Sequence, residues 1–256
     1  MNAQRTTNMN TSKMIALLAA LAVGIGACKK DEEETPAAPT PAGTIKISTG
    51  FHWGGPDFVL GQTYADGAGH AIRIDVLKFY LSETHLENAG TIIADFHDSF
   101  ILADAAEEGL YTVGTASPGT FDNVEIVIGL DSATNHADPT VAEEPLNDPS
   151  MHWSWNPAAG YKFLALEGRV DDDGDGVVDD SDPAFTYHCA TDDALRGISG
   201  AYAGTITDGG TVTMHVHLMV DELVDGIDML ATPNGIGYDP VNVQLMDNLA
   251  AGLEIE

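Results

Sequence analysis

The sequence predicts an all-β protein, an antiparallel β-sandwich with long loops and one or two short helices. Three observations carry that prediction. Segments rich in β-branched and aromatic residues recur along the chain, and several alternate apolar with polar side chains, as half-buried strands do. Turn signals separate them. Long amphipathic helical patterns are missing.

Taken in order, the strand signals are Thr44–Ser48, Ile72–Ser82, Ile92–Leu102, Val124–Leu130, Tyr161–Val170 and Thr211–Val220. The turns between them are Gly54-Gly55-Pro56-Asp57, Asn88-Ala89-Gly90, Ser117-Pro118-Gly119 and Asp208-Gly209-Gly210. Glycine and proline there supply the backbone angles a reversal needs. Two short helices are expected, near Val220–Leu230 and at Val241–Leu253. No internal repeat is visible.

The N-terminus reads as an address. Residues 1–27 contain no acid, Arg5 and Lys13 form a positive start, and Met14–Ile25 is an apolar run too short to span a membrane as a helix. The run ends in Ile25-Gly26-Ala27-Cys28, which looks like a bacterial lipobox with Cys28 as the lipidated residue; the alternative is an ordinary secretory signal with a chance cysteine. Residues 28–43 then form an acidic, proline-rich tether with almost nothing to bury. The folded part is 44–256, expected in the bacterial cell envelope, lipid-anchored and facing the periplasm or the outside.

Charge narrows the function classes. The chain has 40 Asp plus Glu against 10 Lys plus Arg, a formal net charge of −30. Nucleic acid is excluded as a partner, because phosphate contacts need clustered basic side chains. A polybasic membrane-surface binder is excluded as well. With 44% hydrophobic and only 20% charged residues, the chain still has apolar surface enough for a core.

Part of the acid excess has a specific use. Residues 171–182 read Asp-Asp-Asp-Gly-Asp-Gly-Val-Val-Asp-Asp-Ser-Asp. Counted from Asp171, carboxylates fall at positions 1, 3, 5, 9 and 12: Asp171, Asp173, Asp175, Asp179 and Asp182. Gly176 stands where the loop must turn sharply, Val177 can offer its carbonyl oxygen, and Val178 is the apolar anchor. Hard oxygen donors at this spacing suit calcium. Asp182 replaces the usual glutamate, so a bidentate contact there is less secure. The competing reading is a solvated acidic hairpin.

Nine histidines are many for so acidic a chain. His70, His85, His97 and His136 lie in polar or turn-like contexts and read as surface residues. His52, His188, His215 and His217 have more suggestive neighbours. His215 and His217 are two apart, so in a strand they share a face. Imidazole suits copper, zinc or nickel. All three tryptophans, Trp53, Trp153 and Trp155, lie next to or near a histidine, and the last two sit in a long loop, Asp131–Pro157. Such a loop is functional, or its rings plug the end of the core. With Cys28 lipidated, Cys189 is alone, either buried or near a metal.

Several segments together resemble the MbnP-like copper-binding domain family, associated with methanobactin systems and related to methanotroph surface copper proteins. They are Val76–Ser82, Phe121–Val124, Ile128–Ser132 with Asn135, Met151-His152-Trp153-Ser154-Trp155-Asn156, Gly160–Phe163, Leu166-Glu167-Gly168, Phe185–His188, His215-Val216 and Asp247–Leu249. The resemblance covers nearly all of 44–253. It implies a β-sandwich that binds copper at an exported site, with histidine ligands. It implies, in some members, a tryptophan oxidised to kynurenine by a di-haem peroxidase-like partner. Carried over by motif, the copper ligands are His52, His188 and His215, and the modified ring is Trp153 or Trp155. Four features depart from the family pattern: His152 in the Met-x-Trp segment, Cys189-Ala190 after His188, the inserted acidic loop, and Glu254-Ile255-Glu256 where the family has a His-containing tail.

The expected function is therefore that of a membrane-anchored copper-binding protein serving acquisition, storage or delivery, with copper and calcium as its metals. The alternative is a calcium-stabilised surface binding or adhesion lipoprotein without copper. No Gly-x-Ser-x-Gly elbow and no His-Glu-x-x-His helix occur in the sequence, and no enzymatic activity is expected.

Overall fold

The computed structural model describes residues 42–107, 109–153 and 159–256. Cys28, the signal segment, most of the tether and Trp155 lie outside the described residues. Strands dominate: β1 (Gly43–His52), β2 (Thr63–Ala65), β3 (Ala71–Asn88), β4 (Thr91–Asp104), β5 (Gly109–Ala116), β6 (Gly119–Phe121), β7 (Asn123–Ile128), β8 (Lys162–Val170), β9 (Ala184–Ala190), β10 (Arg196–Gly200), β11 (Gly204–Ile206), β12 (Thr211–Met219), β13 (Asn234–Gly237) and β14 (Leu253–Ile255). The helices are α1 (Ser132–Asn135), α2 (Val220–Leu223) and α3 (Pro240–Ala251). None of the described helices is long and apolar enough to cross a membrane.

The sandwich-like β fold matches the sequence expectation. One sheet has the order β14-β12-β1-β5, and the larger one runs β10-β7-β3-β8-β9-β13, with β2 and β4 also paired to β3. The sheets are mixed rather than purely antiparallel, because β1 runs parallel to β12 and β13 parallel to β9. Parallel neighbours need long crossovers, so alternation along each strand does not reveal them. The Asn88-Ala89-Gly90 turn joins β3 to β4, with Ala89 and Gly90 both at positive φ (49° and 74°), as tight hairpins of the primed type require.

Alternation decides which residues enter the core. On β1, Ile45, Ile47 and Thr49 are buried, leaving Ser48, Gly50 and His52 on the other face. On β12, Met214, Val216 and Leu218 are buried, leaving His215 and His217 opposite them. The core continues through Phe79, Ile126, Leu166 and Tyr187 of the larger sheet and Leu245, Met246 and Leu249 of α3. Phe51 meets Phe79 edge to face, with ring centroids 6.0 Å apart, tying the two sheets together.

The Leu166-Glu167-Gly168 block has a packing reason. A Cβ on Gly168 would collide with the Arg73 carbonyl oxygen and lie 2.6 Å from Phe185 Cζ. Gly168→Ala is therefore expected to destabilise the domain by about 1–3 kcal/mol. Urea unfolding checks this, and an unchanged midpoint refutes the close-approach explanation.

Candidate metal centre

The β1–β12 register sets Ser48 beside His215 and Gly50 beside His217, and His52 is one step further along the same face of β1. His52 Nε2 and His217 Nδ1 are 2.6 Å apart. Their rings are parallel within 4° with centroids 4.8 Å apart. The two figures together describe rings lying edge to edge, because the centroid separation exceeds the nitrogen gap by what two ring radii span. Only one of the two nitrogens can carry the proton between them. The His215 ring stands 6.0 Å from that of His217, and His215 Nδ1 is 2.6 Å from Ser48 Oγ.

Gly50 makes room for the pair. A Cβ there would be 3.2 Å from His217 Nδ1 and 3.5 Å from His52 Nε2. The Gly54-Gly55-Pro56-Asp57 turn folds back on β1, with Trp53 N donating to the Pro56 carbonyl and Phe58 N to the Phe51 carbonyl. It brings Asp57 Oδ1 to 3.5 Å from His52 Nδ1, within ion-pair reach but too long for a good hydrogen bond. Burial first, and then the adjoining His52, hold His217 below the ordinary histidine range. Its neutral ring keeps a lone pair available. The three histidines border an open cleft of about 670 Å³, also lined by Asp57 and Glu107.

His188 is placed elsewhere. It lies on β9 in the larger sheet, and its Nε2 is 2.7 Å from Glu167 Oε1. Burial is the main cause holding it below the usual histidine range, with Lys162 adding to that and Glu167 opposing. Among the described residues, its side-chain hydrogen bond and ion pair go to Glu167 and not to His52, His215 or His217. Cys189 faces the core on the opposite side of β9; it is fully buried, its thiol is pushed well up by burial, and it points at the Asn242 carbonyl oxygen. Adjacent strand residues on opposite faces do not share one ion.

Trp153 is half-buried beside His152, which pairs with Tyr161. Trp53 directly follows His52 and stacks on Tyr64, with centroids 4.3 Å apart.

The acidic loop folds around its first residue. Buried Asp171 accepts from the backbone of Asp173 and Gly174 on Oδ1 and of Gly176 on Oδ2. Gly174 and Gly176 have φ of 76° and 80°, and Val178 is buried. Asp171, Asp173 and Asp175 each bring a carboxylate oxygen within 4.8 Å of the others. The Asp175 N–H pulls the Asp173 carboxyl down, yet the charges of Asp175 and Asp171, with some burial, leave it above the ordinary range. A cation would relieve that repulsion. Asp182 is buried and accepts from Asp179 N, Val177 and Asp179 are exposed, and among the described residues neither Asp179 nor Asp182 joins the Asp171–Asp173–Asp175 group.

The MbnP family model matches residues 42–241. The chain belongs to the MbnP family. Family membership suggests a copper-related function associated with methanobactin. Among solved structures, the chain is similar to MbnP from Methylosinus trichosporium, at 16% identity and a TM-score of 0.48, over 73% of this chain and 79% of that one. No curated protein matches the sequence significantly.

Within this MbnP domain, the sequence signal that pointed to the histidine cluster was His215-Val216-His217. Asp57 and Gly50 carried no such signal, because their part depends on the turn and on the β1–β12 register. The His-Trp neighbourhood at His52-Trp53 was visible, but the carried-over motif pointed to Trp153 and Trp155 instead.

Proposed function

We propose that this MbnP-family protein is an exported, lipid-anchored copper-binding protein that takes up, stores or delivers the metal at His52, His215 and His217. One observation carries the reading: two imidazole nitrogens facing each other across a 2.6 Å hydrogen bond that widens to admit an ion, with a third histidine on the same strand face, all bordering one open cleft. Copper heads the stability order of the divalent first-row metals, and a few imidazoles hold it tightly. Bound copper would be the cargo. The chain's own contribution is to hold the rings in place, with Gly50 clearing space beside them and Asp57 near His52 Nδ1. Carboxylates beside ligating histidines tune and orient them. Metal analysis of the purified protein tests this: about one copper per chain is expected, and none retained after copper loading and desalting overturns it.

Calcium is proposed as a second, structural ion in the 171–182 loop. Anchorage through Cys28 and a di-haem peroxidase-like partner that oxidises a tryptophan complete the proposal, and no catalytic role is assigned. Peptide masses from protein made in its native host check the oxidation. Conversion to kynurenine removes one carbon from one indole and adds one oxygen, and the map separates Trp53 from the Trp153–Trp155 peptide. Unmodified masses at all three remove the oxidising partner from the proposal and leave the histidine site standing.

A further inference from the structure

The turn between β2 and β3 gathers a different set of donors. Asp66 is only 6% exposed, and its carboxylate accepts three backbone N–H groups: Ala68 at 3.0 Å and His70 at 2.8 Å on Oδ1, and Met229 at 2.9 Å on Oδ2. The last of these comes from the loop after α2, so one buried side chain ties two distant segments together. The segments approach so closely that a Cβ on Gly67 would collide with Gly226 N and lie 2.6 Å from Ile227 N. This lock sets His70 Nε2 3.5 Å from Asp228 Oδ1. One donor atom from each of Asp66, His70 and Asp228 then lies within 4.8 Å of the other two.

Charge makes the arrangement costly without a cation. Two carboxylates share the spot, one of them desolvated, and among the described ion pairs no lysine or arginine reaches either. Nearby, the Tyr187 phenol is held up chiefly by burial and further by Asp66 and Asp228, so their negative field is felt there. Donor capacity remains. A carboxylate has about four lone-pair sites; Asp66 uses three on the backbone, and Asp228 takes the Ala231 N–H. Calcium and magnesium prefer all-oxygen shells. A soft Cu(I) ion gains little from carboxylates. Two carboxylate oxygens with one imidazole nitrogen suit zinc-class ions, which accept three protein ligands and leave a position for water.

We propose that Asp66, His70 and Asp228 form a second transition-metal site, for a divalent ion of the zinc class, separate from the histidine cluster on β1 and β12. It closes the β2–β3 turn onto the loop after α2. The competing occupant is a proton on His70, making a plain ion pair.

The test uses the full mature chain carrying His52→Ala, His215→Ala and His217→Ala, with calcium saturating, so that neither other metal site is read. Co²⁺ is titrated in and followed by its visible ligand-field absorption, then displaced with Zn²⁺. Expected are about one equivalent of Co²⁺, release by Zn²⁺, and at least about tenfold weaker binding on adding His70→Gln or Asp228→Asn. Both side chains are partly exposed, so near-ultraviolet circular dichroism should show a folded variant; Asp66 is left intact because it caps three backbone groups. Should the histidine triple variant misfold, Zn²⁺ stoichiometry of the otherwise native chain with and without His70→Gln gives the same reading. No Co²⁺ uptake, or uptake that His70→Gln and Asp228→Asn leave unchanged, overturns the site. Because the copper ligands are absent from this background, neither result depends on the copper reading.

Discussion

Replacing His52, His215 and His217 together by alanine is expected to abolish copper retention, while His188→Ala leaves it intact. The three rings share one strand face and one cleft. His188 sits on the larger sheet, paired with Glu167. Each single change in the cluster should weaken copper at least about tenfold, and Asp57→Asn by a similar or smaller factor through His52. Gly50→Val provides the sharper check, because it removes no donor atom. Its side chain would occupy the space 3.2 Å from His217 Nδ1 and push the rings apart. Copper competition against a chelator of known affinity, run on each variant, reads these effects. Loss of copper in His188→Ala with retention in the triple variant would move the site to β9.

Removing calcium should lower the melting temperature by roughly 5–10 °C. An ion present at a hundredfold over its dissociation constant stabilises by about 2.7 kcal/mol, and a domain of this size shifts about 2–4 °C per kcal/mol. The loop continues directly from β8 and hands the chain to β9, with Asp171 N donating to the Ala71 carbonyl. Loosening it therefore also reaches the Glu167–His188 pair carried on those two strands. Scanning calorimetry with and without excess chelator measures the shift, and Asp171→Asn should reproduce it in calcium. An unchanged melting temperature in chelator sinks the calcium assignment.

Much of the fold was legible because strand burial is a local property. Ile45 and Ile47, or Val216 and Leu218, announce their inward face by spacing alone. The Asn88-Ala89-Gly90 turn and the Asp-x-Asp-x-Asp-Gly loop were legible for the same reason, since each encodes its own backbone geometry. What stayed hidden was pairing. Nothing in the residues of β1 says that it lies parallel to a strand more than 160 positions later, so the meeting of His52 with His217 was invisible. His188 drew attention through the Phe185–His188 motif, yet β9 belongs to the larger sheet, away from the β1–β12 pair. Also missed were β2, β5, β6, β9, β10, β11, β13 and β14; the three- and four-residue strands among them are held by their partners rather than by their own pattern. Trp155 falls outside the described residues, and its part rests on the family resemblance.

The parallel pairing of β1 with β12 also bears on when the metal can be captured. His52 and His217 are separated by 165 positions, and the larger sheet is built almost wholly from the chain between them. Parallel contacts of such long range close late, since loop entropy opposes them until much of the rest is in place. A nascent, clipped or misfolded copy then offers His215 and His217 two positions apart, but without His52 beside them. Occupancy of all three histidines at once would thus act as a certificate of completed folding, because the full site exists only once β1 lies beside β12.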